Sequence, residues 1–262
     1  MSRPAIYHLL AGAFLAAGAA AQFLPAAADA ASNNTPSIVL VHGAFADGSS
    51  WNKVIPLLEA KGLKVIAVQN PLSSLADDVA ATKRAIDAQP GSVILVGHSW
   101  GGTVITEAGT DPKVTGLVYV AAAANDVGQS FNEMAKPYPV PPGLTEAKVD
   151  GAGYASLSDQ GIAKYFAQDV KPAEAALIAA TQGPVRAANF DEKVTAAAWQ
   201  SKPSWYIVAA KDFMIQPDLE RALAKKIGAT TTVLPTSHVP MVSEPAKVAA
   251  VILEAAAKAG SR

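Results

Sequence analysis

The chain has 262 residues, 50% of them hydrophobic, and its 21 Lys and Arg against 22 Asp and Glu leave a formal charge of -1 at pH 7. That length holds one large domain of the α/β type with ample material for a buried core. The even charge excludes the basic footprint of a nucleic-acid binder, and the absence of any cysteine excludes disulfide frameworks, thiolate metal sites, a cysteine nucleophile and a lipoprotein anchor.

Residues 1–30 differ from the rest. Arg3 and the amino terminus give a weakly positive start, and 9–21 is an uncharged apolar run, shorter than the roughly 20 residues of a membrane span. Ala28-Asp29-Ala30 supplies the small-x-small pattern that a signal peptidase reads. We expect a signal peptide over 1–30 cut after Ala30, a linker over 31–36, and a soluble mature protein in a periplasm or outside the cell, with no stable membrane association. Short apolar, β-branched runs then alternate with helical stretches. Strands are predicted at 37–41 (SIVLV), 64–68 (KVIAV), 92–96 (SVILV), 114–120 (VTGLVYV), 204–210 (SWYIVAA) and 230–234 (TTTVL). Helical spacing marks 54–60, the stretch after Ser74, whose Asp77 three residues on resembles a capping box, and a closing helix at 248–258. Continuous apolar strands belong to parallel sheets buried on both faces. The fold class is therefore α/β, with a doubly wound, mostly parallel six-stranded sheet over 37–258.

One region breaks the rhythm. Between Asp126 and Pro203 no strand is predicted; four prolines (Pro137, Pro139, Pro141, Pro142) are followed by glycines and then by helices expected at 163–168 and 173–181. A long insertion in a compact domain is usually functional or disordered, and its aromatics (Tyr138, Tyr154, Tyr165, Phe166, Phe190, Trp199) argue against disorder. We read 126–203 as a helical lid, its aromatics lining a pocket or packing the lid onto the core.

Gly97-His98-Ser99-Trp100-Gly101 follows the strand SVILV and precedes a run able to form a helix. This is G-x-S-x-G at a strand-to-helix turn. A nucleophilic serine needs a sharp turn that lifts its Oγ beyond the sheet, and residues two before and two after must be small because strand and helix nearly touch there. Gly97, Gly101 and Gly102 meet that need, so Ser99 is the candidate nucleophile. Acyl transfer also needs preorganised donors for the oxyanion. The N–H groups of Trp100 and of Ala44, in His42-Gly43-Ala44 after the first strand, are the candidates. Of the four histidines, His8 lies in the leader and His42 in the oxyanion turn, where it reads as a structural hydrogen-bonder. His98 is expected to point away from the site. His238, in a loop after the sixth strand, remains as base. Asp212 directly follows the strand SWYIVAA, at the end of a parallel strand where open α/β sheets build their sites. It is the preferred partner for the base, with Asp126 as the rival.

These segments, VLVHGAFADGSSW (39–51), VGHSWGG (96–102), AAKDFMIQPDLE (209–220) and TSHVPMVSEP (236–245), resemble the α/β-hydrolase superfamily. They resemble most the branch of small bacterial esterases, plant methyl esterases and hydroxynitrile lyases. The resemblance implies a cofactor-free, metal-free triad in the order Ser99, Asp212, His238, a six-stranded core, an apolar pocket under a small lid, a small-molecule ester as substrate, and often a homodimer. The lyases of this branch carry threonine where Gly43 stands and lysine where Val239 stands, and both differences point to ester hydrolysis. Three function classes follow: a carboxylic ester hydrolase working through an acyl-enzyme, a lyase or perhydrolase on the same triad, and a non-catalytic binding protein that keeps the fold.

Overall fold

The computed structural model describes residues 35–259; the expected leader and most of the linker lie outside them. The six apolar runs are strands. β1 (Ser37–Val41), β2 (Val65–Val68), β3 (Val93–His98) and β4 (Val114–Val120) come first in the chain. β5 (Ala147–Val149), β6 (Tyr154–Leu157) and β7 (Val185–Arg186) follow within the long insertion, and β8 (Ser204–Ala209) and β9 (Thr230–Leu234) close the series. β2-β1-β3-β4-β8-β9 is the order in the main sheet, and every pairing in it is parallel. Burial explains the sequence pattern. β1, β3 and β8 are covered on both faces along their whole length, whereas β9, at the edge, is mostly open and carries three threonines.

Helices α1 (Ile55–Glu59), α2 (Leu75–Asp87), α3 (Trp100–Ala108), α4 (Phe131–Ala135), α5 (Asp159–Gly161), α6 (Pro172–Thr181), α7 (Pro217–Lys226), α8 (Pro240–Ser243) and α9 (Pro245–Ala259) fill the connections. α2 packs with α3 against the sheet, and α1 packs with α9, as crossovers of one hand in a doubly wound sheet require. Ser74 caps α2 by accepting the Asp77 N–H at 3.0 Å, and Leu75, Val79 and Ile86 are buried on its inner side. The chain leaves β1 toward β2 on one side, then returns across to β3 on the other. The loops after β1 and β3 therefore diverge at a topological switch point, where such sheets place their ligands.

The insertion departs from expectation. It contains a small antiparallel sheet, β5-β6-β7, where no strand was expected. AKV, YASL and VR are two to four residues long, too short for any period-2 signal to rise above chance. The expected helix at 163–168 is a single π-type turn, Ile162–Phe166, closed by the Ala167 N–H on the Ile162 carbonyl at 2.8 Å.

Candidate active site

β3 runs straight into the turn at Ser99, whose φ of 52° and ψ of -119° are rare for a residue with a side chain. Backbone held this way costs about 1–3 kcal/mol and persists only where the surroundings over-determine it. Three glycines supply that determination. A Cβ at Gly97 would stand 2.5 Å from the Gly101 carbonyl oxygen, one at Gly101 2.5 Å from the Val41 oxygen, and one at Gly102 would collide with the Ala123 carbonyl. Strand and helix thus meet backbone to backbone, and Ser99 is the N-cap of α3. The partial positive charge of that helix end faces the turn.

The switch point brings the loop after β1 against the same serine. A Cβ at Gly43 would lie 2.6 Å from Ser99 Cβ, so only glycine lets this turn come so close. Among the described residues no acceptor takes the N–H of Ala44 or of Trp100, and both residues are buried. His42 holds the turn. Its Nδ1–H donates to the Gly43 carbonyl at 2.8 Å, its Nε2 accepts the Asn70 N–H at 2.9 Å, and the Asn70 amide donates to the His42 carbonyl at 2.9 Å. Burial holds its pKa below the ordinary imidazole value, which keeps it neutral and structural, as expected.

Asp212 and His238 come together. The His238 Nδ1–H meets Asp212 Oδ2 at 2.5 Å, with both side chains sealed from solvent. The other carboxylate oxygen accepts the N–H groups of Met214 at 2.6 Å and Ile215 at 2.9 Å, which fixes the plane of the acid. Asp126, the rival acid, instead forms an exposed pair with Lys226 at 3.0 Å. Ser99 is 8% exposed, and its hydroxyl makes no hydrogen bond to His238 or to any other described residue. Hydrogen bonds of this kind are often long in unliganded enzymes and tighten once substrate is held.

The expectation for His98 is overturned. Its ring does not point away: it lies 4.7 Å from the His238 ring, and its Nε2–H donates to the His238 carbonyl at 2.8 Å. The loop after β9 folds over the side that this last residue of β3 faces. Burial first, and then the neighbouring His238, push the His98 pKa well below its usual value. The insertion adds further contacts that the sequence did not announce. The Phe166 ring sits edge-on to His238 at 5.1 Å, the Gln168 amide donates to the Lys211 carbonyl at 2.7 Å, and Asp169 accepts the Ser237 N–H at 2.8 Å. One short stretch at the π-turn therefore grips both the Asp212 loop and the His238 loop. Beside it, α6 and the loop after β1 enclose a groove of about 100 Å³ lined by Ala46, Leu177 and Val242 and by the ion pair of Lys53 with Glu174.

Residues 38–251 match the model of the alpha/beta hydrolase family. The chain belongs to that family. It is similar to a pyrethroid hydrolase from Sphingobium wenxiniae, 26% identical over 83% of this chain and 86% of that protein. It is also similar to methylesterase 7 of Arabidopsis thaliana, 26% identical over 86% and 98% of the two chains. Polyneuridine aldehyde esterase shares the fold with a TM-score of 0.74, covering 84% of this chain and 98% of its own at 20% identity.

A buried carboxyl group beside the Ser99 turn of this alpha/beta hydrolase has a pH signature. Asp78, fully buried on α2, accepts the Trp100 indole N–H and the Leu72 N–H, both at 2.8 Å. Burial outweighs these two bonds and raises its pKa to about 6. A folded-state value above the unfolded one means stability that is fully present below the unfolded pKa and lost as pH rises through the folded one. The stability of the wild type relative to Asp78→Asn should therefore grow on the order of 1 kcal/mol between about pH 7.5 and about pH 5. Urea unfolding of both proteins at the two pH values checks this, and a difference independent of pH contradicts it.

Proposed function

We propose that this hydrolase cleaves carboxylic esters through a Ser99–His238–Asp212 triad and an acyl-enzyme. The observation that carries the reading is the sealed His238–Asp212 pair at 2.5 Å, in loops that follow β8 and β9 of the same parallel sheet whose β3 carries the Ser99 turn. His238 Nε2 takes the Ser99 proton as Oγ attacks the ester carbonyl, and Asp212 holds the tautomer that leaves Nε2 free and stabilises the imidazolium. The N–H groups of Ala44 and Trp100, without acceptors of their own, take the developing oxyanion. The alcohol leaves with the proton from His238, and a water activated by the same imidazole then frees the acid.

We read the segment from 126 to 203 as the lid over this site, with Phe166, Gln168 and Asp169 as its fastening to the triad loops. Relatives named as a methylesterase and an esterase support ester chemistry over other hydrolysis. Val239, buried and uncharged beside His238, offers no cation for a departing cyanide, which weighs against the lyase reading.

The test is a panel of esters graded in acyl and alcohol size, run with the wild type and Ser99→Ala, alongside a fluorophosphonate probe and a cyanohydrin. Hydrolysis and probe labelling that both depend on Ser99 are expected. Cyanide release without ester turnover, or an unlabelled Ser99, would overturn the proposal.

A further inference from the structure

Glu220 sits on α7 in the stripe formed with Leu219, Leu223 and Ala224, and its side chain is fully buried. A carboxyl group in that place must account for two oxygens. Oε2 accepts the Ala209 N–H at 2.9 Å. Oε1 is sealed from solvent, and no N–H or O–H among the described residues reaches it. Its nearest charged influence is the carboxylate of Asp212, whose loop follows the strand that supplies the Ala209 N–H.

The Asp212 side has its own accounting. An ionised carboxylate offers about four lone-pair sites. Met214, Ile215 and His238 fill three of them. One acceptor position remains, and Glu220 is a second buried carboxyl group beside it in influence. Two ionised carboxylates in contact there repel each other, and no cation stands between them. Arg221, next on α7, is exposed. The Tyr206 hydroxyl on β8 donates to the Ala122 carbonyl, and His238 lies beyond Asp212. A proton on Oε1 resolves both accounts, because it gives that oxygen a partner and gives Asp212 its last donor.

We propose that Glu220 works as a neutral carboxylic acid whose O–H donates to Asp212, a positioning residue that holds the acid of the triad in place. Burial, and then the neighbouring Asp212, push its pKa well above the usual carboxylate value, consistent with this arrangement. The inference rests on the triad reading of Asp212. The donated hydrogen bond draws charge away from Asp212 and so weakens its hold on the protonated imidazole. Removing the donor leaves a more strongly charged Asp212, which keeps His238 protonated to higher pH.

The test uses the full chain in two variants. Glu220→Gln keeps a donor toward Asp212 and an acceptor for Ala209; it should hold kcat within about threefold of wild type, with an unmoved pH profile. Glu220→Leu should lose at least about tenfold in kcat, with little change in KM, and its acid limb should move to higher pH. Infrared spectra above the Asp78 transition, near pH 8, read the proton directly and do not depend on the Leu variant folding. A deuteration-sensitive carboxylic acid band in wild type, missing in Glu220→Gln, is expected. No such band, or a Gln variant as impaired as the Leu variant, overturns the inference. Fluorophosphonate labelling of the same samples reads the triad separately. Labelled protein without the band sinks this inference alone, whereas unlabelled protein sinks the triad and the positioning role together.

Discussion

Ser99→Ala is expected to lower ester turnover by roughly four to six orders of magnitude while leaving the unfolding midpoint close to wild type. The hydroxyl makes no hydrogen bond among the described residues, so its loss removes chemistry and little stability. His238→Ala should cost about as much in turnover, and the double variant little more than either single one, because the groups act as one unit. Asp212→Asn should lose roughly four orders of magnitude by a different route. The amide oxygen can keep the Met214 and Ile215 N–H groups, which turns the NH₂ toward His238 Nδ1. The imidazole then carries its proton on Nε2 and cannot accept one from Ser99. Asp126→Ala, by contrast, breaks only an exposed ion pair with Lys226 and should stay within a few-fold of wild type. Steady-state kinetics on one ester, with thermal unfolding as control, checks the set. If Asp126→Ala costs more than Asp212→Asn, the acid has been misassigned.

These residues could be found from sequence because each sits where a strand ends. SIVLV and SVILV are legible since central parallel strands are buried on both faces and so read as unbroken apolar runs. Ser99 follows β3 directly and Asp212 comes three residues after the end of β8, and glycine at 97, 101 and 102 is demanded by backbone contact that nothing larger survives. What stayed hidden depends on contacts between distant parts of the chain. His98 meets the His238 carbonyl across 140 positions, and Asp78 reaches the Trp100 indole across 22. No local pattern encodes either meeting. The short strands β5, β6 and β7 are stabilised by their mutual pairing and by the core beneath them, so their few residues carry no periodic signal of their own. Glu220 was missed as well. No helix was expected over 217–226, and an acid beside Asp218 and Arg221 reads as solvated until α7 buries it with Leu219, Leu223 and Ala224.

The histidines and acids of the site divide by their surroundings. His42 and His98 are buried without a carboxylate, and burial keeps them neutral. His238 alone faces one. Asp212 has N–H donors on one oxygen and the imidazole on the other, while Glu220 has a single N–H and a carboxylate neighbour. Environments that push similar groups apart are how a site assigns its acids and bases, and that sorting is in keeping with the proposed roles of His238 and Asp212.

Adding one methyl group at Gly102 should cost about 3 kcal/mol or more of stability. Helix propensity predicts the opposite sign. Gly102 lies within α3, and glycine to alanine inside a helix is worth about 1 kcal/mol in favour of alanine. The collision decides between them, because the added Cβ would run into the Ala123 carbonyl and stand 2.8 Å from Ala122 Cβ. A backbone carbonyl cannot rotate aside as a flexible side chain would, so α3 must lift from the end of β4. That displacement reaches the nucleophile directly, since the Ser99 carbonyl accepts both the Gly102 N–H at 2.9 Å and the Ala123 N–H at 3.2 Å. Gly151→Ala is the control, with open space around its Cβ and an expected change within about 0.5 kcal/mol. Urea unfolding of the two variants separates the effects. A Gly102→Ala protein as stable as wild type would mean that α3 is free to move off β4, and the rigid backbone contact argued for the Ser99 turn would be wrong. Whatever fraction of Gly102→Ala folds should also lose turnover, because the Trp100 N–H follows the shifted Ser99 carbonyl in the same peptide unit and leaves the place where the oxyanion forms.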